Sequence, residues 1–321
     1  MKDILRNYAR KGYYGLRRAA GHAKNSLGDK GPKLLVLTYH RVLEERRENP
    51  LKTITSLKMF LKQIDYLAMK FNIIGIDEAF KDFSSDDPGA AKPSVVLSFD
   101  DGTIDNYEVV FPALRKKGLP AAFFVSSGYV GSGRPPWDLE VIMKLVHNPG
   151  IGRVQIGTEE LFPGMGEPRL SFAYRVAGRL KYAGADALRK TVEDLKSDFD
   201  FRPDRCMEWE HLKKMQDSGM EIGSHGITHR SLARIPAEDA RNEIVESKRE
   251  LAARLGKECR YFSFPFGSAL DYNDGLISLV RDSGYRGCLL NVHGYNRPSG
   301  SLFSLKRIIM DDDTPYRFIL G

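Results

Sequence analysis

The chain has 321 residues, of which 42% are hydrophobic and 28% charged, a length and composition that suit one large α/β domain with insertions. Its three cysteines, Cys206, Cys259 and Cys288, stand far apart with no CxxC pair; this indicates neither a disulfide framework nor a zinc ribbon and fits a reducing compartment. The net charge of +7 is concentrated at the amino end, in Lys2, Arg6, Arg10, Lys11, Arg17, Arg18, Lys24 and Lys30, while the rest is nearly balanced, so the basic excess says little about a substrate.

Residues 1–30 read as a basic arm or helix ahead of a domain spanning 31–321, with an insertion at about 130–205. The arm lacks the apolar run of about 7–15 residues that a secretory signal needs, and nothing approaches a membrane span of about 18 apolar residues. The expectation is a cytoplasmic protein. Ile4, Leu5, Tyr8 and Leu16 would line one side of a basic helix suited to the anionic inner face of a membrane, and a solvated arm or an extra helix packed on the domain is the alternative. No aromatic–basic platform accompanies the charge, so nucleic acid is not an expected partner.

From Gly31 onward, short apolar runs alternate with helical periodicity, as in strands and helices wound about a parallel sheet. A strand at 34–39 ends at His40-Arg41. Leu57, Phe60, Leu61, Ile64 and Leu67 recur at helical spacing and predict a helix over 57–70. A strand at 95–99 delivers Asp100 and Asp101 at its carboxyl end. Tyr107, Val110, Phe111 and Leu114 mark a helix that Gly118 stops, and 120–125 returns as a strand. Residues 130–205 break this rhythm, with two helices near 170–183 and 185–199. The pattern resumes with a helix at 208–218, a strand at 220–223, a helix at 236–255, a strand at 261–264 and a helix at 272–283. Strands near 286–290 and 302–309 close the chain.

Two motifs carry chemistry. Ser98-Phe99-Asp100-Asp101-Gly102 places adjacent carboxylates at a strand end, and His225-Gly226-Ile227-Thr228-His229 spaces two imidazoles as ligands. Either alone reads as a turn or as chance spacing. Both at carboxyl strand ends of one sheet, where α/β folds gather their sites, they supply one carboxylate and two imidazoles for a divalent ion. The second carboxylate is left to act as a base on water. A zincin helix is excluded because Gly226, not Glu, follows His225, and a haloacid-dehalogenase motif because Phe99 stands two positions before Asp101.

With these motifs in order, the chain resembles the polysaccharide deacetylases of the NodB-homology type, carbohydrate esterase family 4, over most of residues 34–310. Ser98 to Gly102 matches [TS]FDDG, and His225 to His229 matches H[ST]xxH with Gly226 in place of the hydroxyl residue. The resemblance implies a distorted (β/α)7 barrel, related to the TIM barrel, with a helical insertion. It implies Asp100 as catalytic base, and Asp101, His225 and His229 as ligands of a divalent metal, Zn2+ first, with Co2+, Ni2+ or Mn2+ as substitutes. The family's RxPYG stands here as Ser263-Phe264-Pro265-Phe266-Gly267: Pro265 and the Phe266 N–H keep the oxyanion turn, while the arginine that orients the base is missing. Arg307 is the candidate substitute. His40, on the first strand, resembles the acid of the circularly permuted poly-N-acetylglucosamine deacetylase branch, with His293 as its rival. Trp137 and Asp138 resemble the fourth motif's Asp-Trp pair, but in reversed order and inside the insertion, and so are given no place in the site.

The implied reaction is hydrolysis of the N-acetyl group of an amino sugar in a poly- or oligosaccharide, with a glycan as partner. The altered third motif leaves open a catalytically silent carbohydrate-binding relative, and the expected location a deacetylase of a nucleotide- or lipid-linked sugar.

Overall fold

The computed structural model describes residues 34–45, 53–83, 93–196, 200–297 and 300–315; the basic arm expected over 1–30 lies outside them. After β1 (Leu34–Tyr39), a short parallel pair, β2 (Arg41–Leu43) and β3 (Ile54–Ser56), leads into α1 (Leu57–Lys70), β4 (Asn72–Ile73) and α2 (Ile76–Phe83). Then come β5 (Ser94–Phe99), a π-helical turn over Asn106–Val110, α3 (Phe111–Lys117) and β6 (Ala122–Val125). An excursion follows, built of α4 (Trp137–His147), an antiparallel hairpin of β7 (Val154–Ile156) and β8 (Glu159–Leu161), α5 (Arg169–Leu180) and α6 (Ala185–Asp194). The chain returns through α7 (Trp209–Asp217), β9 (Glu221–Ser224), α8 (Ala237–Leu255), β10 (Tyr261–Ser263), α9 (Asp274–Asp282), β11 (Gly287–His293) and β12 (Leu305–Ile309).

Seven strands close a parallel barrel in the order β1-β12-β11-β10-β9-β6-β5, sealed by the β1–β5 pairing from Leu34↔Ser94 to Tyr39↔Phe99. β4 pairs with the start of β5 beside Ser94 and Val95, and β6 takes over at Ser98 and Phe99. The two-residue period of each strand divides its side chains between barrel interior and helix-facing exterior. Leu35, Leu37, Tyr39, Val95, Leu97, Phe99 and Phe123 face outward and pack with Phe60, Ile64 and Leu67 of α1. The opposite set, Leu34, Val36, Val96, Phe124, Tyr261, Leu289 and Leu305, fills the interior at the amino end. Two residues further along the same strands the interior turns polar, at Thr38, Ser98, Ser263 and Arg307, and Asp100 follows two residues after Ser98, just past the end of β5; all are buried. That switch sets the location of the site.

Helix α1 shows how sequence dictates an element. The side chain of Ser56 caps it by accepting from the Met59 N–H, and Phe60, Gln63, Ile64 and Leu67 form its buried stripe. In the helical run after β5, Pro112 has no N–H to donate and its ring displaces the carbonyl one turn back, so the preceding turn widens to π geometry before α3 begins.

Several elements escape the sequence pattern. β2 and β3 have three residues each, too few for alternation to register. In α4, Val141, Ile142 and Leu145 are buried against the excursion's own core of Trp137, Val154, Phe172, Val176 and Leu188, and the preceding Pro135-Pro136 reads as loop although Pro136 caps the helix. Among the described residues, no helix is long and apolar enough to cross a membrane.

At the amino end Phe80 of α2 plugs the barrel against Tyr261, ring centroids 4.8 Å apart. Gly287 makes room for it: a Cβ there would lie 2.2 Å from Phe80 Cε1 and 2.6 Å from the Leu302 carbonyl. Gly287→Ala is therefore expected to destabilise by about 1–3 kcal/mol through overpacking, read as a lower denaturant midpoint with unchanged slope. Gly178→Ala in α5, where nothing lies within 4 Å, should leave stability equal or slightly higher.

Candidate active site at the carboxyl end of the barrel

Asp100 extends the β1–β5 ladder by one bond, its N–H donating to the Tyr39 carbonyl at 3.0 Å. His225 does the same beyond β9, donating to the Val125 carbonyl at 2.8 Å. The loop after His225 is tied from outside by Glu243 of α8, a buried carboxylate that accepts from the Ile227 N–H at 2.6 Å, the Thr228 N–H at 2.9 Å and the Thr228 hydroxyl. This accounts for Gly226: its φ is +78°, and a Cβ would sit 2.9 Å from the Glu243 carboxylate. A hydroxyl residue at this position would displace the clamp.

Asp101, His225 and His229 each turn one donor atom toward a common point, all within 4.8 Å of one another. His225 Nε2 and His229 Nε2 lie 3.6 and 3.3 Å from Asp101 Oδ1. The other nitrogen of each ring is occupied elsewhere. His225 Nδ1 meets the Ser263 carbonyl at 2.7 Å, an acceptor only, so the proton is on Nδ1 and the Nε2 lone pair faces Asp101. His229 Nδ1 meets Asp138 Oδ1 at 3.2 Å. Two imidazole nitrogens and a carboxylate converging in this way suit a divalent cation of the zinc type.

Asp100 is buried beside this group and separate from it. Arg307 Nη1 donates to Asp100 Oδ2 at 2.7 Å and its Nε to the Leu290 carbonyl at 3.2 Å, while the Ser263 hydroxyl donates to Asp100 at 3.3 Å. Burial pushes the Asp100 carboxyl up, but Arg307, His225 and His40 outweigh it and hold the group below its ordinary value. Thus Ser263, where the family has arginine, leaves space that Arg307 fills from β12.

His40 follows β1. Its carbonyl accepts from Asn106 Nδ2 at 2.8 Å, and its neighbour Arg41 is anchored by buried Asp105 and Asp204 at 3.3 and 2.7 Å. It is near enough to be among the groups that lower the Asp100 and Asp101 carboxyls. His293, the rival, ends β11 with its side chain exposed, across from Arg307 in register. Phe266 places its ring 4.8 Å from that of His229 and 6.2 Å from that of Trp137, and its carbonyl accepts from Asn291 Nδ2 at 3.1 Å. Pro265 forms the turn through its carbonyl, which accepts from the Gly267 N–H at 2.6 Å.

Among the described residues, the non-glycine positions with left-handed backbone are Asp101, His229 and Phe266, at φ of 72°, 54° and 60°. Strain of this kind, about 1–3 kcal/mol per residue, persists where surrounding contacts enforce it and gathers at functional sites. The sequence reading leaves out two residues that the structure brings here, Trp137 and Asp138. Their adjacency was the available signal, obscured by their reversed order.

The sequence profile of the family described as polysaccharide deacetylase matches residues 87–288. No curated protein matches the chain. Among solved structures, the Streptococcus pyogenes deacetylase PplD in complex with acetate aligns with a TM-score of 0.61 at 18% identity, over 91% of this chain and 98% of that one. IcaB from Ammonifex degensii aligns at 0.59 and 21% identity, over 90% and 94%. A de-N-acetylase from Aggregatibacter actinomycetemcomitans aligns at 0.58 and 18%, over 90% and 98%. At these identities the alignments speak to a shared fold, and the profile match, which spans more than half the sequence, speaks to descent. The chain belongs to the polysaccharide deacetylase family, hydrolases acting on the amide C–N bond of N-acetylated sugars.

Proposed function

We propose that this protein is a divalent-metal-dependent deacetylase of an N-acetylated amino sugar within an oligo- or polysaccharide, with Asp101, His225 and His229 as ligands, Asp100 as base and His40 as acid. The observation that carries this reading is the separation of two carboxylates adjacent in sequence: Asp101 faces both imidazoles, while Asp100 is held by Arg307 and Ser263. Asp101, His225 and His229 would hold a divalent cation, Zn2+ by the chemistry of the donors, which would acidify water and offer positive charge to the acyl oxygen.

Asp100, kept ionised by Arg307, accepts the proton of the attacking water. The Phe266 N–H, on a turn fixed by Pro265 and Asn291, offers a donor to the acyl oxygen as it gains charge. His40 delivers a proton to the leaving nitrogen, without which an amine anion would have to depart. The acid step makes the loss of His40 a kcat effect more than a binding effect.

Acetate release from N-acetylglucosamine oligomers should be abolished by chelator and restored by Zn2+. Activity that ignores chelation contradicts the proposal. Asp100→Asn is expected to retain metal while turnover falls about 10²–10⁴-fold, whereas His225→Ala loses both; full activity in Asp100→Asn would refute the assigned base. Arg307 depresses the Asp100 pKa, so Arg307→Gln lets it rise, and the acid limb of the kcat/KM profile should move to higher pH. His40→Ala should lower kcat with little change in KM, and His293→Ala should change neither; the reverse pattern transfers the acid role to His293.

A further inference from the structure

The excursion meets the candidate metal group at the first turn of α4. There Trp137 Nε1 donates to the His229 carbonyl at 2.8 Å, and Asp138 Oδ1 lies 3.2 Å from His229 Nδ1. Both atoms are buried, and neither has a hydrogen-bond partner, so this close approach of carboxylate to imidazole is an ion-pair contact. The Trp137 ring is buried in the excursion's own core, so this turn is fixed mainly by packing within the excursion. His229 is also one of the residues in left-handed backbone, a conformation unfavourable for a side chain with a Cβ. Its carbonyl is held by one residue of the turn and its ring by the next.

The two histidines are thus oriented by different means. His225 Nδ1 faces a neutral backbone carbonyl belonging to the barrel, at Ser263. His229 Nδ1 faces a carboxylate belonging to the excursion. A carboxylate on the far nitrogen fixes the tautomer and raises the donor strength of the near one more than a carbonyl does.

We propose that Trp137 and Asp138 are positioning residues for His229, so that the helical excursion sets the metal affinity of a group whose ligands all belong to the barrel. This inference rests on the reading of Asp101, His225 and His229 as a metal site. Asp138 acts through His229 and is not itself a ligand, because its contact is with the nitrogen turned away from Asp101. In a purely structural role, the same contacts would fasten the excursion to the barrel and have no bearing on metal.

The test uses the full chain stripped of metal, titrated with Co2+ while its visible absorption is followed, and then with Zn2+ in competition with a chelator of known affinity. Asp138→Ala is expected to weaken Zn2+ binding about 10–100-fold and to alter the Co2+ band. Asp138→Asn keeps an acceptor without the charge and should fall between it and the parent. Trp137→Phe, which retains the packing and loses the donor, should also weaken binding. Asp138→Ala with the affinity and band of the parent overturns the proposal. Should that variant not fold, the nearly isosteric Asp138→Asn decides, and parent-like affinity and band in it overturn the proposal equally. A parent chain that takes up no metal overturns both the site reading and the inference, whereas a parent that binds and loses metal with His225→Ala leaves the site standing whatever Asp138 shows.

Discussion

The burial of Asp100 is the constraint around which the carboxyl end of the barrel is arranged. A carboxylate removed from water is costly unless it is paired and hydrogen-bonded, and the compensation here comes from two other strands, through Arg307 of β12 and Ser263 of β10. Removing one partner of such a buried pair leaves a charge uncompensated, at about 3–5 kcal/mol. The inward residues of these strands are therefore not free to vary independently, and the apolar interior below them ends where they begin.

Beside that buried pair, the geometry of the candidate metal group depends on strain held in place by distant elements. Asp101, His229 and Phe266 occupy left-handed backbone within one cluster. The loop between the histidines is clamped by Glu243 from α8, the Phe266 carbonyl by Asn291 from β11, and the His229 carbonyl by Trp137 from α4. Helix, strand and excursion each contribute one restraint, so the site is preorganised by the whole fold rather than by its own loops.

Much of this is legible in the sequence because the relevant signals are local. Two carboxylates after an apolar strand and two histidines at ligand spacing identify Asp100, Asp101, His225 and His229, and the structure brings them together. Strand and helix positions are legible where an apolar run or a helical period is sustained, as in β1 and α1. Arg307 is legible only indirectly, through an arginine absent from the third motif and a basic residue on a late strand; its contact with Asp100 depends on barrel closure, which no local pattern encodes. Asp138 is hidden for a different reason. It lies some ninety residues before His229 in a segment whose Gly and Pro clusters suggest loop, and only the packing of α4 in the excursion's core turns its carboxylate toward the imidazole.

The most direct test of the account is anomalous diffraction from crystals of the full chain loaded with Zn2+, collected on both sides of the zinc absorption edge. The account predicts a single strong peak enclosed by Asp101 and the Nε2 atoms of His225 and His229, with Asp100 outside the coordination shell and still paired to Arg307. A peak elsewhere, or one in which Asp100 replaces Asp101 as ligand, would contradict it.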